Sequence, residues 1–314
     1  MFYNVENLFD CADDPNKNDN EYLPDSKLHW TEKRFRQKLS NIFKVIATAG
    51  EEEPPEIVAF AEVENKYVLE QLIYNTPLSK YKYAIVHKDS PDERGIDVAL
   101  IYRPDKIAKV SEKFFNIEYS PNTSRLTRDI LYFSFRINSK EIIHLFVNHW
   151  PSRYGGQLAN EKNRMFVASV LKSKTDSLFA LNTSSKIIIV GDFNDEPGNN
   201  SIKTILRAVK PNPPYNDAQL INISNVEKNS VVQGTHKFHE NWAIFDQVIV
   251  SGSILQKKGT YTLPDSYTIL TSPFLFENDE KFLGLKPKRT YFGYKYIGGY
   301  SDHLPVFIDL FQAR

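Results

Sequence analysis

Short apolar runs rich in valine, isoleucine and phenylalanine recur along this chain and limit the folds open to it. They lie at residues 57–61, 96–102, 130–135, 142–148, 186–190, 245–250 and 304–310. The stretch from Ile187 to Val190 is continuously apolar, which is typical of a strand covered on both faces. The pattern therefore predicts a chain built mainly from short, buried strands.

Two longer segments carry helical periodicity instead. Residues 31–49 place Phe35, Leu39, Ile42, Phe43 and Ile46 on one face, and Gly50 follows where a helix cap is expected. Residues 158–181 and 67–74 predict two further helices, and residues 252–300 predict long surface loops. Because several neighbouring strands lack a helix between them, the order favours two packed sheets with outer helices over a doubly wound sheet.

The bulk composition is compatible with a single domain spanning residues 1–314, since 41% of the 314 residues are hydrophobic. Lysine plus arginine equals aspartate plus glutamate at 39 each, so the chain lacks the strong basic field of a protein that binds long nucleic acid through phosphates alone. Cys11 is the single cysteine, which excludes an intrachain disulfide.

The chain contains no apolar run as long as the roughly 18 residues of a spanning helix and no signal-peptide pattern. We therefore expect a soluble protein. A strand-like run begins at Met1, which suggests that a segment preceded it and leaves export open if a leader was removed.

Short polar motifs follow or begin the apolar runs, where strands deliver side chains to one edge of a sheet. Carboxylates and amides gathered at such an edge suit a hard cation such as Mg²⁺, and histidines there exchange protons near neutral pH. The residues in these positions are Asn4, Glu6, Glu62, Asn148, His149, Asp192, Asn194, Asp246, Asp302 and His303.

Each motif alone has an ordinary structural explanation. The segment 191–197 has the composition of a turn, and Glu62 could begin a helix. His29, His87, His144, His236 and His239 are interpreted as structural by default.

The motifs together resemble the endonuclease/exonuclease/phosphatase superfamily. The resemblance rests on Asn-Val-Glu-Asn-Leu-Phe at 4–9, Ala-Glu-Val-Glu around Glu62, Asn-His-Trp-Pro-Ser at 148–152, Gly-Asp-Phe-Asn at 191–194 and Ser-Asp-His-Leu-Pro at 301–305. These motifs occur in the order of the family and span nearly the whole chain. The resemblance implies a four-layered α/β sandwich, in which two mixed, mainly antiparallel sheets pack together with helices outside.

The resemblance also implies roles for individual residues. Asn4, Glu62 and Asp302 resemble the metal-binding set, which implies Mg²⁺, with Mn²⁺ as an alternative. Asp192 and Asn194 resemble the pair that orients the attacking water and binds phosphoryl oxygens. His303 resembles the proton-handling histidine, with Asp246 as its orienting carboxylate and His149 as a second histidine. Either Asp192 or His303 is the general base.

Further residues are candidate ligands of a substrate phosphate. Arg94, Asn148 and Tyr102, the last at the end of its strand, are the principal ones. Arg125, Arg128 and Arg153 are either further phosphate ligands or surface charges.

The resulting function is a metal-dependent nuclease or phosphodiesterase, with a phosphatase or a lipid phosphodiesterase as the alternative. A catalytically silent binding protein of the same fold is disfavoured because every central residue is present. Residues 286–296 interleave basic and aromatic residues and favour nucleic acid, whereas apolar residues within 271–285 favour a lipid. We expect a monomer that acts on a phosphate ester, and no protein partner is implied.

Overall fold

The computed structural model describes residues 1–50, 52–119, 126–137, 141–154, 156, 158, 160–224 and 232–313. Its helices are α1 (Glu32–Ala49), α2 (Lys66–Tyr74) and α3 (Glu161–Leu181), with short helical turns at Asn20–Tyr22, Pro77–Tyr81, Ser201–Leu206, Gly252–Leu255 and Pro273–Leu275. In chain order the strands are β1 (Phe2–Leu8), β2 (Ile57–Val63), β3 (Ala84–Val86), β4 (Asp97–Tyr102), β5 (Ala108–Phe115), β6 (Ile130–Arg136), β7 (Ile143–His149), β8 (Lys186–Asp192), β9 (Leu220–Asn222), β10 (His236–Phe238), β11 (Asn241–Ala243), β12 (Asp246–Ser251), β13 (Thr260–Tyr261), β14 (Thr268–Ile269), β15 (Phe276–Asn278), β16 (Leu285–Pro287), β17 (Tyr291–Phe292), β18 (Lys295–Tyr296), β19 (Val306–Phe307) and β20 (Phe311–Gln312).

Two six-stranded sheets form the centre of the molecule. The first has the order β14-β19-β1-β2-β4-β3 and the second the order β5-β6-β7-β8-β12-β9. Only the pairs β1–β2 and β7–β8 are parallel among the pairings within these two sheets in the described residues, so both sheets are mixed and mainly antiparallel. The segment predicted as loops at 252–300 contains turns and very short paired strands, including the hairpins β15–β16 and β17–β18.

The apolar side chains divide into three layers. Alternate residues of facing strands, such as Leu100 and Val190, fill the space between the sheets. α1 and α2 cover the outer face of the first sheet, and α3 covers the outer face of the second. Within β8, Ile188 points to the inner layer and Ile189 to α3, which explains why that run is continuously apolar. The predicted four-layered sandwich is confirmed.

The end of α1 shows why glycine occupies position 50. Gly50 is the C-cap, but its backbone is extended, with φ −94°, instead of the left-handed form common at helix ends. A Cβ there would lie 1.9 Å from the Glu53 carbonyl oxygen. Close approach of the backbone therefore requires the glycine.

No helix among the described residues is both long and apolar enough to cross a membrane.

Glu64, at the end of β2, gives a test of charge burial in the fold. Burial raises the pKa of Glu64 to about 8, and the Asp10 N–H donates to its carboxylate at 2.6 Å. A carboxyl whose folded pKa is above its unfolded pKa takes up a proton on folding. Its contribution is therefore favourable below the unfolded value, and stability is lost as pH rises toward 8.

We predict that Glu64→Gln flattens this loss, since glutamine keeps the acceptor oxygen and does not ionise. The variant should be more stable than wild type by ~5 kcal/mol at pH 9 and nearly equal at pH 4, since the pKa rises from 4.5 to about 8 and each pKa unit corresponds to about 1.4 kcal/mol. Denaturant unfolding at the two pH values measures this. An equal difference at both would contradict the assignment.

Candidate active site

The predicted polar motifs converge on one edge of the two sheets. β1 and β2 are parallel to each other, as are β7 and β8, so the carboxyl ends of these strands reach that edge. β12 and β19 run antiparallel to their neighbours and therefore begin there. Asp246, the first residue of β12, lies directly opposite Asp192, the last residue of β8. Strand direction thus brings together motifs from the two ends of the chain.

Glu62 reaches this edge through a β-bulge. Ala61 pairs with Val98 and Val63 with Asp97, which leaves Glu62 as the extra residue of β2. Its φ of 65° lies in the left-handed region, which is uncommon for residues other than glycine, and bulges re-aim side chains in this way. The Asn7 N–H donates to Glu62 Oε2 at 3.0 Å, which fixes the carboxylate.

Asn4 joins the two sheets at the edge. Its buried Nδ2 donates to Asp192 Oδ2 at 3.0 Å and to Glu62 Oε1 at 3.4 Å. His149 Nε2 lies 3.7 Å from the same Asp192 oxygen and 3.8 Å from the same Glu62 oxygen. The amide, the two carboxylates and the imidazole therefore surround one small space.

His303 and Asp246 form a buried pair on the other side of Asp192. His303 Nδ1 donates to Asp246 Oδ2 at 2.7 Å, and His303 Nε2 lies 3.6 Å from Asp192 Oδ2. Burial alone would lower the pKa of His303, but Asp246 and Asp192 outweigh it and raise the pKa well above the usual value of histidine. The ring is therefore held as an imidazolium between two carboxylates.

Asp192 lies at the centre of these contacts. Burial raises the pKa of Asp192 to about 7, with His303 opposing the rise and Asp246 and Glu62 adding to it. Its second oxygen accepts the Asn194 N–H at 2.9 Å, and Asn194 has a φ of 49°. The side-chain nitrogen Nδ2 of Asn194 donates to the Trp150 carbonyl at 3.1 Å, which fixes the turn after β8.

His149 differs from His303 in charge. Burial lowers the pKa of His149 well below its usual value, and the nearby positive charges of Arg128 and Arg94 act in the same direction. Its Nδ1 is buried without a hydrogen-bond partner among the described residues. The site therefore combines one neutral and one positively charged imidazole.

Arg289 is part of the site and was not among the predicted residues. It donates to Glu6 Oε1 at 2.9 Å and to Asp302 Oδ2 at 3.1 Å. Burial raises the pKa of Glu6 to about 7, with Asp302 adding to the rise and Arg289 opposing it. Burial would also raise the pKa of Asp302, but Arg289 and His303 more than offset this and lower it. The basic segment 286–296 was the feature of the sequence that could have indicated Arg289, but its partner Glu6 lies at the other end of the chain.

His236 was interpreted as structural, yet it lies against the His303–Asp246 pair. Its ring centroid is 4.7 Å from that of His303, and its backbone forms an isolated bridge with His303. Burial, reinforced by the charge of His303, lowers the pKa of His236 to about 4. In the sequence only its position ten residues before Asp246 hints at this proximity.

The oxygen set at the edge fits a hard divalent cation. Glu62 and Asp192 present partly buried and buried carboxylates to the same amide, and carboxylate and amide oxygens are the ligands that such a cation prefers. Asp302 differs from the prediction, because its ion pair is with Arg289, and no described contact joins it to Glu62 or Asn4. His236, Asp302 and His303 also lie close together, but the guanidinium beside Asp302 disfavours a second cation there.

Two predicted phosphate ligands are corrected by the structure. Tyr102 ends β4, but β4 is antiparallel to β2, so Tyr102 pairs with Ile57, five residues or about 17 Å from Glu62 along the strand. Its ring packs on Phe133, at 5.1 Å between centroids. Asn148 is fully buried, and its amide donates to the Val190 carbonyl at 3.3 Å and accepts from Trp150 Nε1 at 3.2 Å. Both residues therefore pack or brace the sheets.

The predicted arginines lie in different surroundings. Arg94 is half exposed and close enough to influence His149. Arg128 is buried and donates to Asp92 at 3.0 Å and to the Trp150 carbonyl at 2.7 Å. Arg153 donates to the Asn194 carbonyl at 2.8 Å. Arg125 lies outside the described residues.

Comparison with known proteins agrees with this architecture. A model described as "Endonuclease/Exonuclease/phosphatase family" matches residues 1–312. The chain belongs to this family. The resemblance seen in the sequence motifs is thereby confirmed. No curated protein gives a significant match to the chain.

Several solved structures share the fold of this family member. A conserved protein of unknown function from Enterococcus faecalis V583 has a TM-score of 0.61 at 14% identity and covers 99% of this chain and 98% of its own. A mannosyl-6-phosphatase of Bacteroides thetaiotaomicron VPI-5482 has a TM-score of 0.57 at 18% identity, covering 99% and 98%. TDP2 of D. rerio, complexed with a single-strand DNA product, has a TM-score of 0.54 at 14% identity, covering 88% and 92%. At these identities the likeness shows the fold alone.

The placement of Tyr102 gives a direct prediction. Because its hydroxyl lies at the far end of β4, Tyr102→Phe should leave kcat and KM for any turned-over phosphate ester within about twofold of wild type. Steady-state kinetics on a matched preparation measure this. A loss of about tenfold or more in kcat/KM in a folded variant would mean that Tyr102 contributes to the site.

Proposed function

We propose that this chain is a divalent-metal-dependent phosphoesterase that hydrolyses its substrate by in-line attack of an activated water. The observation that carries the proposal is the single linked group of Asn4, Glu62 and Asp192 beside the His303–Asp246 pair. Membership of the family supports a hydrolase, and the carboxylate edge supports a divalent cation, for which we propose Mg²⁺, with Mn²⁺ as a substitute.

The proposed chemistry follows from the charges at the site. A phosphodiester is anionic and repels hydroxide, so the site must supply positive charge and hold a water in line with the leaving group. Glu62 and Asn4 would hold the cation, which when bound supplies positive charge to the phosphoryl oxygens. The His303 imidazolium, oriented by Asp246, would face the same oxygens.

Proton transfer is assigned to Asp192 and His303, which are neighbours in the site. Asp192 Oδ2 and His303 Nε2 are 3.6 Å apart, so both would orient the water, and Asp192 would accept its proton because the His303 imidazolium has no free nitrogen. His149, buried and neutral, would bind a non-bridging oxygen or serve the leaving group. Asn194, Arg94 and Arg289 are proposed to help position the phosphate.

The surface near residues 286–296 favours a nucleic-acid ester as the substrate. Phe292 and Tyr294 are 66% and 59% exposed, and Lys286 and Lys27 lie over their rings. Exposed rings with adjacent cations suit stacked bases and phosphates. Tyr291 and Tyr296 instead pack inward with Trp30 and Arg34, so the segment is partly structural.

The lipid alternative loses most of its support in the structure. Leu275 is buried, and Phe274 and Phe276 pack on the core cluster beneath α1, so the apolar run at 273–276 is not an exposed tip. On the hairpin formed by β15 and β16, Leu283, at 78% exposure, is the main apolar side chain that faces solvent. A phosphatase acting on a small monoester remains the second candidate, because a mannosyl-6-phosphatase shares the fold over nearly the whole chain.

Glu62 in the bulge of β2 and Glu64 just after the end of β2 give a matched test of the proposal. Glu62→Gln removes a proposed cation ligand, whereas Glu64→Gln makes the same chemical change two residues away. We predict that Glu62→Gln loses about a hundredfold or more in kcat, while Glu64→Gln stays within about threefold. The assay is a panel of DNA, RNA, bis-p-nitrophenyl phosphate, inositol phosphates, sugar phosphates and sphingomyelin, with and without Mg²⁺ or Mn²⁺.

The panel also decides among substrate classes. DNA or RNA as the best substrate supports the nuclease proposal, and a sugar or inositol monophosphate supports the phosphatase. Absence of metal-dependent turnover on every ester by folded wild type, or equal activity of the two glutamine variants, would contradict the proposed function.

A further inference from the structure

Thr235 and His236 lie at the entrance of β10 and contact both members of the Asp246–His303 pair. Thr235 is fully buried. Its hydroxyl oxygen accepts the N–H groups of Phe245 and Asp246, each at 3.1 Å. Its carbonyl oxygen accepts the Leu304 N–H at 2.7 Å. One residue therefore fixes the backbone beside each partner of the pair.

His236 adds a contact from the side chain. Its ring lies between Phe245, at 5.4 Å between centroids, and His303, at 4.7 Å. His236 and His303 also form a backbone bridge outside the regular strands. The ring of His303 is therefore contacted by the tilted ring of His236 and held at Nδ1 by Asp246.

No described hydrogen bond involves a side-chain nitrogen of His236, although one nitrogen lies within 4.8 Å of ligand atoms of Asp302 and His303. Nδ1 is buried and makes no hydrogen bond among the described residues. The ring of His236 is stacked on that of Phe245, at 23° between planes, and tilted against that of His303, at 42°, so its described side-chain contacts are made through the ring. The contact with His303 is therefore the main interaction through which this side chain acts on the site.

We propose that Thr235 and His236 are positioning residues, which together hold Asp246 and the ring of His303 so that His303 Nε2 faces Asp192. This inference rests on the proposed function for its kinetic consequence. Its structural content, the geometry of the His303–Asp246 hydrogen bond, stands independently of any substrate. Catalysis is sensitive to such placement, since a displacement of about 1 Å typically reduces the rate about a hundredfold.

Four variants separate positioning from other roles. Thr235→Val removes the acceptor at nearly constant shape, and Thr235→Ser retains it. His236→Ala removes the ring, and His236→Phe keeps a flat ring without nitrogens. We predict that Thr235→Val and His236→Ala lower kcat by about ten- to a hundredfold with KM within about threefold, while the serine and phenylalanine variants recover most of the loss.

A second measurement reports the hydrogen bond itself. The proton on His303 Nδ1 should give a downfield NMR resonance that is absent in Asp246→Asn, and it should shift or broaden in Thr235→Val and His236→Ala. Thermal unfolding checks that each variant is folded. If wild type turns over no ester, the proposed function fails, and this resonance alone decides the positioning proposal.

Two results would overturn the inference. His236→Phe as inactive as His236→Ala would mean that a nitrogen of His236 contacts the substrate. An unchanged resonance together with near-wild-type kcat in both Thr235→Val and His236→Ala would mean that neither residue positions the pair.

Discussion

Burial of negative charge at one edge of the two sheets is the constraint on which the rest of the site depends. Glu6, Asp192 and Asp246 are buried, and Glu62 and Asp302 beside them are partly buried. Taking carboxylates out of water is costly unless cations or donors face them. Arg289 and the His303 imidazolium compensate part of this charge, and the proposed divalent cation beside Glu62 would compensate more.

The backbone at this edge of the sheets also has unusual conformations. Glu6, Asn7, Glu62 and Asn194 all have positive φ, and all lie at the ends of the strands that meet at this edge. Strained residues of this kind persist where surrounding contacts fix them. Thr290 illustrates such a contact, since its N–H donates to Glu6 Oε2 at 2.7 Å. The buried Lys38 ammonium donates to the Thr290 hydroxyl and to the Tyr300 carbonyl, which joins α1 to the segment that carries Arg289. Charge, backbone strain and the packing of α1 are thus coupled.

Much of the fold could be predicted from local pattern. The continuous apolar run of β8 indicated a strand covered on both faces, and the periodicity of residues 31–49 indicated α1 almost to the residue. The residues proposed for chemistry also followed from the pattern, because strand ends that share an edge bring their polar neighbours together. His149, Asp192, Asp246 and His303 lie within contact of one another or of Glu62.

The remainder depends on pairing that local sequence does not contain. Tyr102 was placed at the edge because it ends a strand, but the direction of β4 relative to β2 puts the start of that strand there instead. Arg289 meets Glu6 across almost the whole length of the chain. His236 has no distinctive neighbours in sequence, and its role follows only from the bridge with His303. Strand direction and long-range contacts therefore set the limit of the sequence-based reading.

The location of the cation tests the central claim most directly. Crystals soaked in Mn²⁺ and measured near the manganese absorption edge would show the ion by anomalous scattering. The account predicts an ion bound by Glu62, within reach of Asn4 and Asp192 and next to His303. An ion held by Asp302 and His236, with none at Glu62, would contradict it, as would the absence of any ion at this edge at saturating Mn²⁺.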